Sequence, residues 1–204
     1  MIKVNKTYKL HDFLSAPFAN NRVERIDYFN HDVVLAVRDS YGCAQLMRSG
    51  EITHIYCGMD TMKKHTLNNG AAFNQKLRRV RAKTHPIGAD GFQMFALDKD
   101  TIFMQLNRSQ TDPEVCINLR YMLSLDLLNN GLANLSVYTK GGNIRFLLPT
   151  VYTLQELRQN RDDAGLDYEN YHVMGFGERI PQLPFVGHND WDYDYSGGLL
   201  NSLT

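Results

Sequence analysis

Two pairs of alternating segments restrict the folds open to this chain of 204 residues. In the first pair, FQMFAL (Phe92–Leu97) and TIFMQL (Thr101–Leu106) flank the short segment DKD. In the second pair, LSVYT (Leu135–Thr139) and NIRFLL (Asn143–Leu148) flank the segment KGG. β-like runs on each side of a short turn are typical of a β-hairpin. We therefore expect two hairpins, one on each side of the middle of the chain.

The segment between the hairpins is apolar on most sides. It runs from Ile117 to Leu128 and is followed by Asn129-Asn130-Gly131, residue types that tolerate the left-handed conformation at a helix end. This pattern predicts a buried central helix at about residues 116–129. The order hairpin, helix, hairpin then predicts an α+β fold in which a mixed, barrel-like sheet wraps around that helix, which would explain its lack of a polar face.

Three further elements follow from local pattern. VVLAV (Val33–Val37) predicts a buried strand. The apolar spacing in Phe73–Lys83 predicts an amphipathic helix that ends near HPIGADG. Leu154–Asp162 predicts a polar helix, whereas Ser49–Asn69 carries no clear pattern.

Charge and hydropathy exclude some classes of function. Lys plus Arg and Asp plus Glu are equal at 22 each, and a neutral balance argues against a dedicated nucleic-acid binder. The basic run KLRRVRAK (Lys76–Lys83) favours a solvated helix face over a phosphate or nucleic-acid patch, because no aromatic residues are interleaved with it. The N-terminal segment has no apolar core typical of a signal peptide, and no window is apolar enough to span a membrane. We expect a cytoplasmic protein.

The three cysteines, Cys43, Cys57 and Cys116, show no metal-ligand spacing and indicate free thiols in a reducing compartment. His54 and Cys57 lack recognisable partners for a metal, so no metal site is expected. Cys116 opens the predicted central helix, where the helix dipole and unpaired N–H groups favour a thiolate and can hold a carboxylate. The alternative is a small buried residue in the first turn.

Three segments together resemble the N-terminal half of diaminopimelate epimerase: IGADGF (Ile87–Phe92), LNRSQTDPEVCIN (Leu106–Asn118) and NNGLANLSVYTKGG (Asn129–Gly142). FNHDVVLAV (Phe29–Val37) and VMGFGERIPQLPF (Val173–Phe185) resemble other segments of that family more faintly. The resemblance implies half of a pseudo-symmetric epimerase fold and a reaction on the α-carbon of an amino acid that uses two cysteines and no cofactor.

The same resemblance implies roles for individual residues. Cys116 is the candidate base, and Asn107 and Asn118 would bind the two ends of an amino-acid substrate. His31 stands where the family has a substrate-contacting asparagine, unless Asn30 takes that place after a one-residue shift. Asp90 in the GADG segment could act on the substrate, although an aspartate between glycine and alanine more often holds a turn.

The chain departs from the family at two points. The family's second catalytic cysteine has no counterpart here, and the glycines beside the first one are replaced by Ile117 and Leu119. Three interpretations remain: an enzyme completed by a homo-oligomer or a separate second-half subunit, a one-base isomerase or lyase, or a descendant that kept the fold as a non-catalytic binding or assembly subunit. The last is favoured, and the alternative is a cofactor-independent amino-acid epimerase active only when assembled.

Composition suggests three regions. Residues 1–25 form an N-terminal extension, 26–186 the epimerase-like domain and 187–204 a polar tail rich in tyrosine, aspartate and glycine. The tail is either draped on the surface or a docking arm for another subunit. The candidate anchors of such an arm are Trp191, Tyr193 and Tyr195.

Overall fold

The computed structural model describes residues 5–10, 22–23, 29–39, 42–85, 92–106, 114–128, 131–150 and 152–179. The strands are β1 (Thr7–Lys9), β2 (Arg22–Val23), β3 (Val33–Asp39), β4 (Gly42–Met47), β5 (Ile52–Ile55), β6 (Gln93–Ala96), β7 (Ile102–Gln105), β8 (Val115–Asn118), β9 (Met122–Leu127), β10 (Leu132–Thr139) and β11 (Gly142–Pro149). The helices are α1 (Met59–Asn69), α2 (Ala71–Thr84) and α3 (Leu154–Phe176), and a 3-10 turn spans Leu119–Tyr121.

The strands form two open sheets. One has seven strands in the order β2-β5-β4-β3-β8-β7-β6, and the other has four in the order β1-β11-β10-β9. Neighbouring strands are antiparallel except in the pairs β2–β5 and β1–β11, which are parallel. The α+β prediction is confirmed. The barrel-like closure is not found among the described residues, because each sheet ends in two free edges.

Most elements predicted from local pattern are present. Val33–Val37 lies in β3 and is buried throughout. The first hairpin is formed by β6 and β7, and the second by β10 and β11. The helix predicted at Phe73–Lys83 is α2, which the structure extends by one or two residues at each end.

The predicted central helix at residues 116–129 is wrong. Residues 115–118 form β8, and after the 3-10 turn residues 122–127 form β9. β8 is antiparallel to β3 on one side and to β7 on the other, and every residue in it is buried. A strand covered on both faces is apolar on every side, so its sequence cannot be distinguished by periodicity from that of a buried helix.

The 3-10 turn carries the chain from one sheet to the other. Asn118 begins this turn, and its side-chain oxygen accepts a hydrogen bond from the backbone N–H of Arg120 at 3.2 Å. The break occurs because β8 belongs to the seven-stranded sheet and β9 pairs with β10 of the four-stranded sheet. If residues 116–129 formed one helix, neither sheet would gain the strand that this segment contributes to it.

Two other helices differ from the sequence expectation. α1 was not predicted, since Ser49–Asn69 lacks a clear pattern; it follows Gly58, which makes no side-chain cap hydrogen bond. α3 starts where expected, with a capping box formed by Thr153 and Glu156, but it continues to Phe176 and ends at Gly177 in the left-handed conformation. Its later turns belong to the helix because Ala164, Tyr168 and Tyr171 continue its buried face.

Apolar side chains form two clusters. The larger one extends over β3, β8, β10, β11 and α3, and it joins the two sheets. The smaller one lies under α1, where Met59 and Met62 pack against Phe29, Phe103 and Cys116. Among the described residues, none of the helices has the length and hydropathy required to cross a membrane.

Candidate functional site

Cys116 lies within β8 rather than at a helix end. It pairs with Ala36 of β3 and Gln105 of β7, and its side chain is fully buried beneath α1. Burial raises the pKa of the Cys116 thiol well above its usual value, and the Glu114 carboxylate raises it further. The geometry expected to produce a thiolate, a helix N-terminus open to substrate, is therefore missing at this residue.

The other described site residues serve the backbone or face solvent. Asn118 is fully buried, and its side-chain amide donates a hydrogen bond to the Val33 carbonyl at 3.2 Å. His31 is exposed, with Nε2 lying 3.7 Å from the Asp32 carboxylate, and its carbonyl accepts a hydrogen bond from the Tyr121 hydroxyl at 3.0 Å. Asn118 lies two residues from Cys116 on β8, so both point to the same face of the sheet.

Five predicted residues lie outside the described part of the chain, and the structure neither joins nor separates them from the others. They are Asp90, Asn107, Trp191, Tyr193 and Tyr195.

A network of charged side chains lies on the same sheet face, two residues before Cys116. Its centre is Glu114, whose carboxylate contacts the Arg38 guanidinium and the Lys63 ammonium. Asp60 of α1 binds the same two cations, at 3.0 Å to Arg38 and 3.2 Å to Lys63. We call Arg38, Asp60, Lys63 and Glu114 the Glu114 network. Lys63 also donates a hydrogen bond to the Gln105 side chain at 3.3 Å.

The cations and carboxylates of the Glu114 network balance one another. The hydrogen bond from Arg38 lowers the pKa of Asp60. Burial alone would lower the pKa of Lys63, but its hydrogen bond and attraction to Glu114 outweigh burial and the pKa is raised. Two cations and two carboxylates leave no net charge, so the network fixes α1 on the sheet and is not itself an anion site.

A cleft of about 700 Å³ lies beside this network, between α1, α2 and the edge strand β6. We call it the α1–α2 cleft. Part of its lining is apolar, formed by Leu67, Leu77, Met94 and Phe95. Side-chain amides also line it, namely those of Asn68, Asn74, Gln75, Gln93 and Gln105. Pockets that hold small molecules in proteins have volumes of roughly 300–1,000 Å³ and this same mixture of apolar and polar groups.

The charged residues of the cleft are mostly cationic. They are Lys63, Lys64, Arg78 and Arg81, opposed by a single carboxylate, Asp60. Lys63 is neutralised by the Glu114 network, and Nε of Arg81 binds the Asp167 carboxylate at 2.8 Å. Lys64 and Arg78 are exposed, and no carboxylate among the described residues pairs with either of them. These two side chains supply the unbalanced positive charge of the cleft.

The position of α2 against the sheet depends on Asn74. Its side-chain amide donates to the Ala96 carbonyl at 2.6 Å and accepts from the Ala96 N–H at 2.7 Å. The amide thus takes the place of a neighbouring strand at the edge of β6. Gly70, just before α2, permits this approach, because a Cβ there would lie 2.2 Å from the Ala96 carbonyl oxygen.

The far end of α2 is held by a buried carboxylate of α3. Asp167 is fully buried, and its Oδ1 accepts hydrogen bonds from the Thr84 hydroxyl at 2.8 Å and lies 3.0 Å from Nε2 of His85. Its Oδ2 accepts from Arg81. His85 is therefore one of the residues that fix the end of α2 to α3. Residues of the basic run Lys76–Lys83 have different surroundings. Arg78 and Arg81 line the cleft, whereas Arg79 and Lys83 are exposed outside it.

Sequence inspection found only part of this site. The basic run was recognisable in the sequence, but the residues of α1 and β6 that line the cleft with it were not. Lys64 lies in α1, which has no clear apolar pattern, and Gln93 belongs to a strand whose edge position depends on pairing. Glu114 lies between turn-forming residues and an apolar run, and nothing in this local sequence indicates that its side chain is buried.

Comparison of the chain with protein-family models, with curated proteins and with solved structures finds no match. The resemblance to diaminopimelate epimerase therefore stays a prediction. Two of its expectations differ from the structure: Cys116 lies in a strand, and the described residues of the predicted central helix form β8, a 3-10 turn and β9.

Proposed function

We propose that this protein is a binding module whose α1–α2 cleft takes a small anionic molecule with an apolar body. The observation that carries the proposal is the combination of two unbalanced cations, Lys64 and Arg78, with an apolar lining inside one cleft of about 700 Å³. A phosphate or a carboxylate supplies the negative charge that these side chains lack, and Arg is well suited to bind either group with two parallel hydrogen bonds.

The cleft has both parts of such a recognition site. Leu67 and Met94, both partly exposed, offer contact surface for an apolar body, and the amides of Gln75 and Gln93 offer both donors and acceptors. The fixed elements around the cleft support binding without large rearrangement. α1 is held by the Glu114 network, and α2 is held at both ends by Asn74 and Asp167.

A binding role fits the chain better than thiol-based epimerisation. An epimerase base must reach the α-carbon of its substrate as a thiolate, whereas Cys116 is fully buried and its thiol pKa is raised. The alternative of an enzyme completed by an oligomer or a second-half subunit would need Cys116 to become exposed on assembly. Labelling of the thiols, described in the Discussion, tests that requirement independently.

The test uses phenyl phosphate as the probe and benzyl alcohol as its neutral counterpart. Binding is followed by ¹H–¹⁵N NMR shifts of the full chain, and we expect shifts at Gln75 and Met94 with phenyl phosphate alone. Arg78→Gln and Lys64→Gln should each weaken binding by roughly twofold to tenfold, the range for a solvent-exposed charge-assisted contact. Added salt should weaken it as well.

The matched control is Arg79→Gln, since Arg79 is exposed on the same helix and does not line the cleft. It should leave the affinity unchanged. Equal binding of benzyl alcohol, or equal loss of affinity in Arg79→Gln and Arg78→Gln, would reject the proposal. Shifts confined to residues away from the cleft would reject it too.

A further inference from the structure

A second group of polar side chains lies away from the α1–α2 cleft. Asp100 belongs to the turn between β6 and β7, His172 to the end of α3, and Glu178 follows the helix cap Gly177. One ligand atom from each of the three lies within 4.8 Å of the other two. The group therefore joins a hairpin turn to the C-terminal end of a helix that is distant from it in sequence.

His172 is the unusual member of this group. It is 1% exposed, and within the part of the chain that the structure describes neither Nδ1 nor Nε2 has a hydrogen-bond partner. The approach of Nδ1 to the Glu178 carboxylate, 3.7 Å, is too long for a hydrogen bond. Its other neighbours include the aromatic rings of Tyr168, Tyr171 and Phe176, whose π faces are at most weak acceptors for a ring N–H. A buried polar group in a native protein nearly always has a partner, and an ion or a water supplies it where the chain does not.

The surroundings favour a cation as that partner. Lys99 binds one oxygen of Glu178 at 2.7 Å, which leaves the second oxygen facing His172. Two carboxylates and the Lys99 ammonium together give the group one net negative charge. A neutral imidazole has one ring nitrogen with a free lone pair, and a metal ion can bind that nitrogen.

We infer that Asp100, His172 and Glu178 form a binding site for a divalent transition-metal ion, with Zn²⁺ the best match. One imidazole nitrogen and two carboxylate oxygens are ligands that Zn²⁺ accepts, whereas Mg²⁺ and Ca²⁺ prefer oxygen ligands only. Ligands about 2.0–2.2 Å from a tetrahedral Zn²⁺ lie about 3.4 Å apart. The Asp100 and Glu178 side chains both reach solvent, which leaves room for them to rotate toward that spacing.

Bound metal would clamp the β6–β7 turn to the end of α3. The turn is already shaped for this, since Oδ1 of Asp98 accepts a hydrogen bond from the Asp100 N–H at 2.9 Å, and the Tyr171 hydroxyl donates to the Asp98 carbonyl at 3.4 Å. Three protein ligands leave one tetrahedral position for a water molecule. This site is independent of the proposed ligand cleft.

The experiment is a titration of the full chain, first stripped of metal with a chelator, with ZnCl₂ in a calorimeter and with CoCl₂ in a spectrophotometer. We expect one equivalent of either ion to bind, visible absorption bands for Co²⁺, and a higher melting temperature with Zn²⁺ but not with Mg²⁺. Asp100→Asn and Glu178→Gln should each weaken Zn²⁺ binding by at least about tenfold, which is the smallest loss usual for a disturbed metal ligand set.

These two variants keep the test decisive even if His172→Gln disturbs folding, because Asp100 and Glu178 are accessible to solvent. Glu169→Gln is the control, since Glu169 is exposed on α3 and is not a member of the group. Absence of stoichiometric Zn²⁺ binding would overturn the inference. Binding that Asp100→Asn and Glu178→Gln leave unchanged would overturn it as well, because the metal would then be held elsewhere, for example at a thiol.

Discussion

The substitution Asp167→Asn removes one negative charge from a fully buried side chain. It tests how α2 is attached to α3. The Asp167 carboxylate serves three donors: Oδ2 accepts from Arg81, and Oδ1 from Thr84 and His85. An asparagine has nearly the same shape. Its single carbonyl oxygen can keep the contacts of Oδ1, but its NH₂ group must then face the Arg81 guanidinium, a donor against a donor.

The expected loss follows from these contacts. One hydrogen bond to a charged group is worth about 1.5–3 kcal/mol, and the two that remain become weaker when the carboxylate becomes an amide. Arg81 is 22% exposed, so water can partly solvate its guanidinium and reduce the loss. Asp167→Asn should therefore lower the free energy of unfolding by about 3 kcal/mol, at the lower end of the range for a broken buried ion pair.

The assay is equilibrium unfolding in urea, followed by circular dichroism at a helix-sensitive wavelength. With a denaturant dependence of about 2–3 kcal/mol per molar urea, the midpoint should fall by about 1–1.5 M. Asp163→Asn, one turn earlier on α3, is the control. Within the described ranges its carboxylate accepts a hydrogen bond only from the exposed Gln159, so the change should stay within about 0.5 kcal/mol.

A double-mutant cycle separates the ion pair from general damage to α3. Asp167→Asn combined with Arg81→Gln should show a coupling free energy of about 1–3 kcal/mol, as expected for residues in direct contact. A loss below about 1 kcal/mol for Asp167→Asn, a loss equal to that of Asp163→Asn, or additive effects of the two substitutions would refute the reasoning.

Two further predictions concern the thiols and one glycine. In the native protein Cys57, which is partly exposed, should react first with iodoacetamide, while Cys43 and Cys116 stay protected until urea unfolds the chain; fast native labelling of Cys116, identified by mass spectrometry, would restore the thiolate hypothesis. Gly70→Ala should destabilise the protein by several kcal/mol, about 3 or more, because its Cβ would strike backbone of β6, whereas Gly58→Ala, with nothing within 4 Å of its Cβ, should change the melting temperature little. Equal melting temperatures for the two variants would contradict the packing of α2 on β6.

The elements that could be predicted from sequence have a local cause. The hairpin at β10 and β11 depends on a turn rich in glycine and on β-like residues beside it, and the start of α3 depends on the capping pair Thr153 and Glu156. Such signals act over a few residues. They allowed β3, both hairpins, α2 and the first turns of α3 to be predicted with errors of only a few residues at their ends.

The candidate site was less predictable, because its residues come together only on folding. Asp167 contacts Arg81 across 86 positions of sequence, and Glu114 contacts Lys63 across 51. No local pattern marks a carboxylate that will be buried with partners so far away. In the sequence His172 is likewise one polar residue in a mostly polar helix. Its lack of a hydrogen-bond partner among the described residues depends on how the aromatic residues around it pack.

The sequence by itself determined the hairpins β6–β7 and β10–β11 and the balance of its charges, since these depend on neighbouring residues and on composition. It did not show the antiparallel pairs β3–β4 and β4–β5. The tertiary structure alone decided that residues 115–127 are two strands in different sheets and not one helix, and that Cys116 is a buried thiol. The physical reason is that a run apolar on all sides satisfies a buried helix and a buried strand equally well. Only the hydrogen-bonding partners, β3 and β7 on either side of β8, distinguish the two.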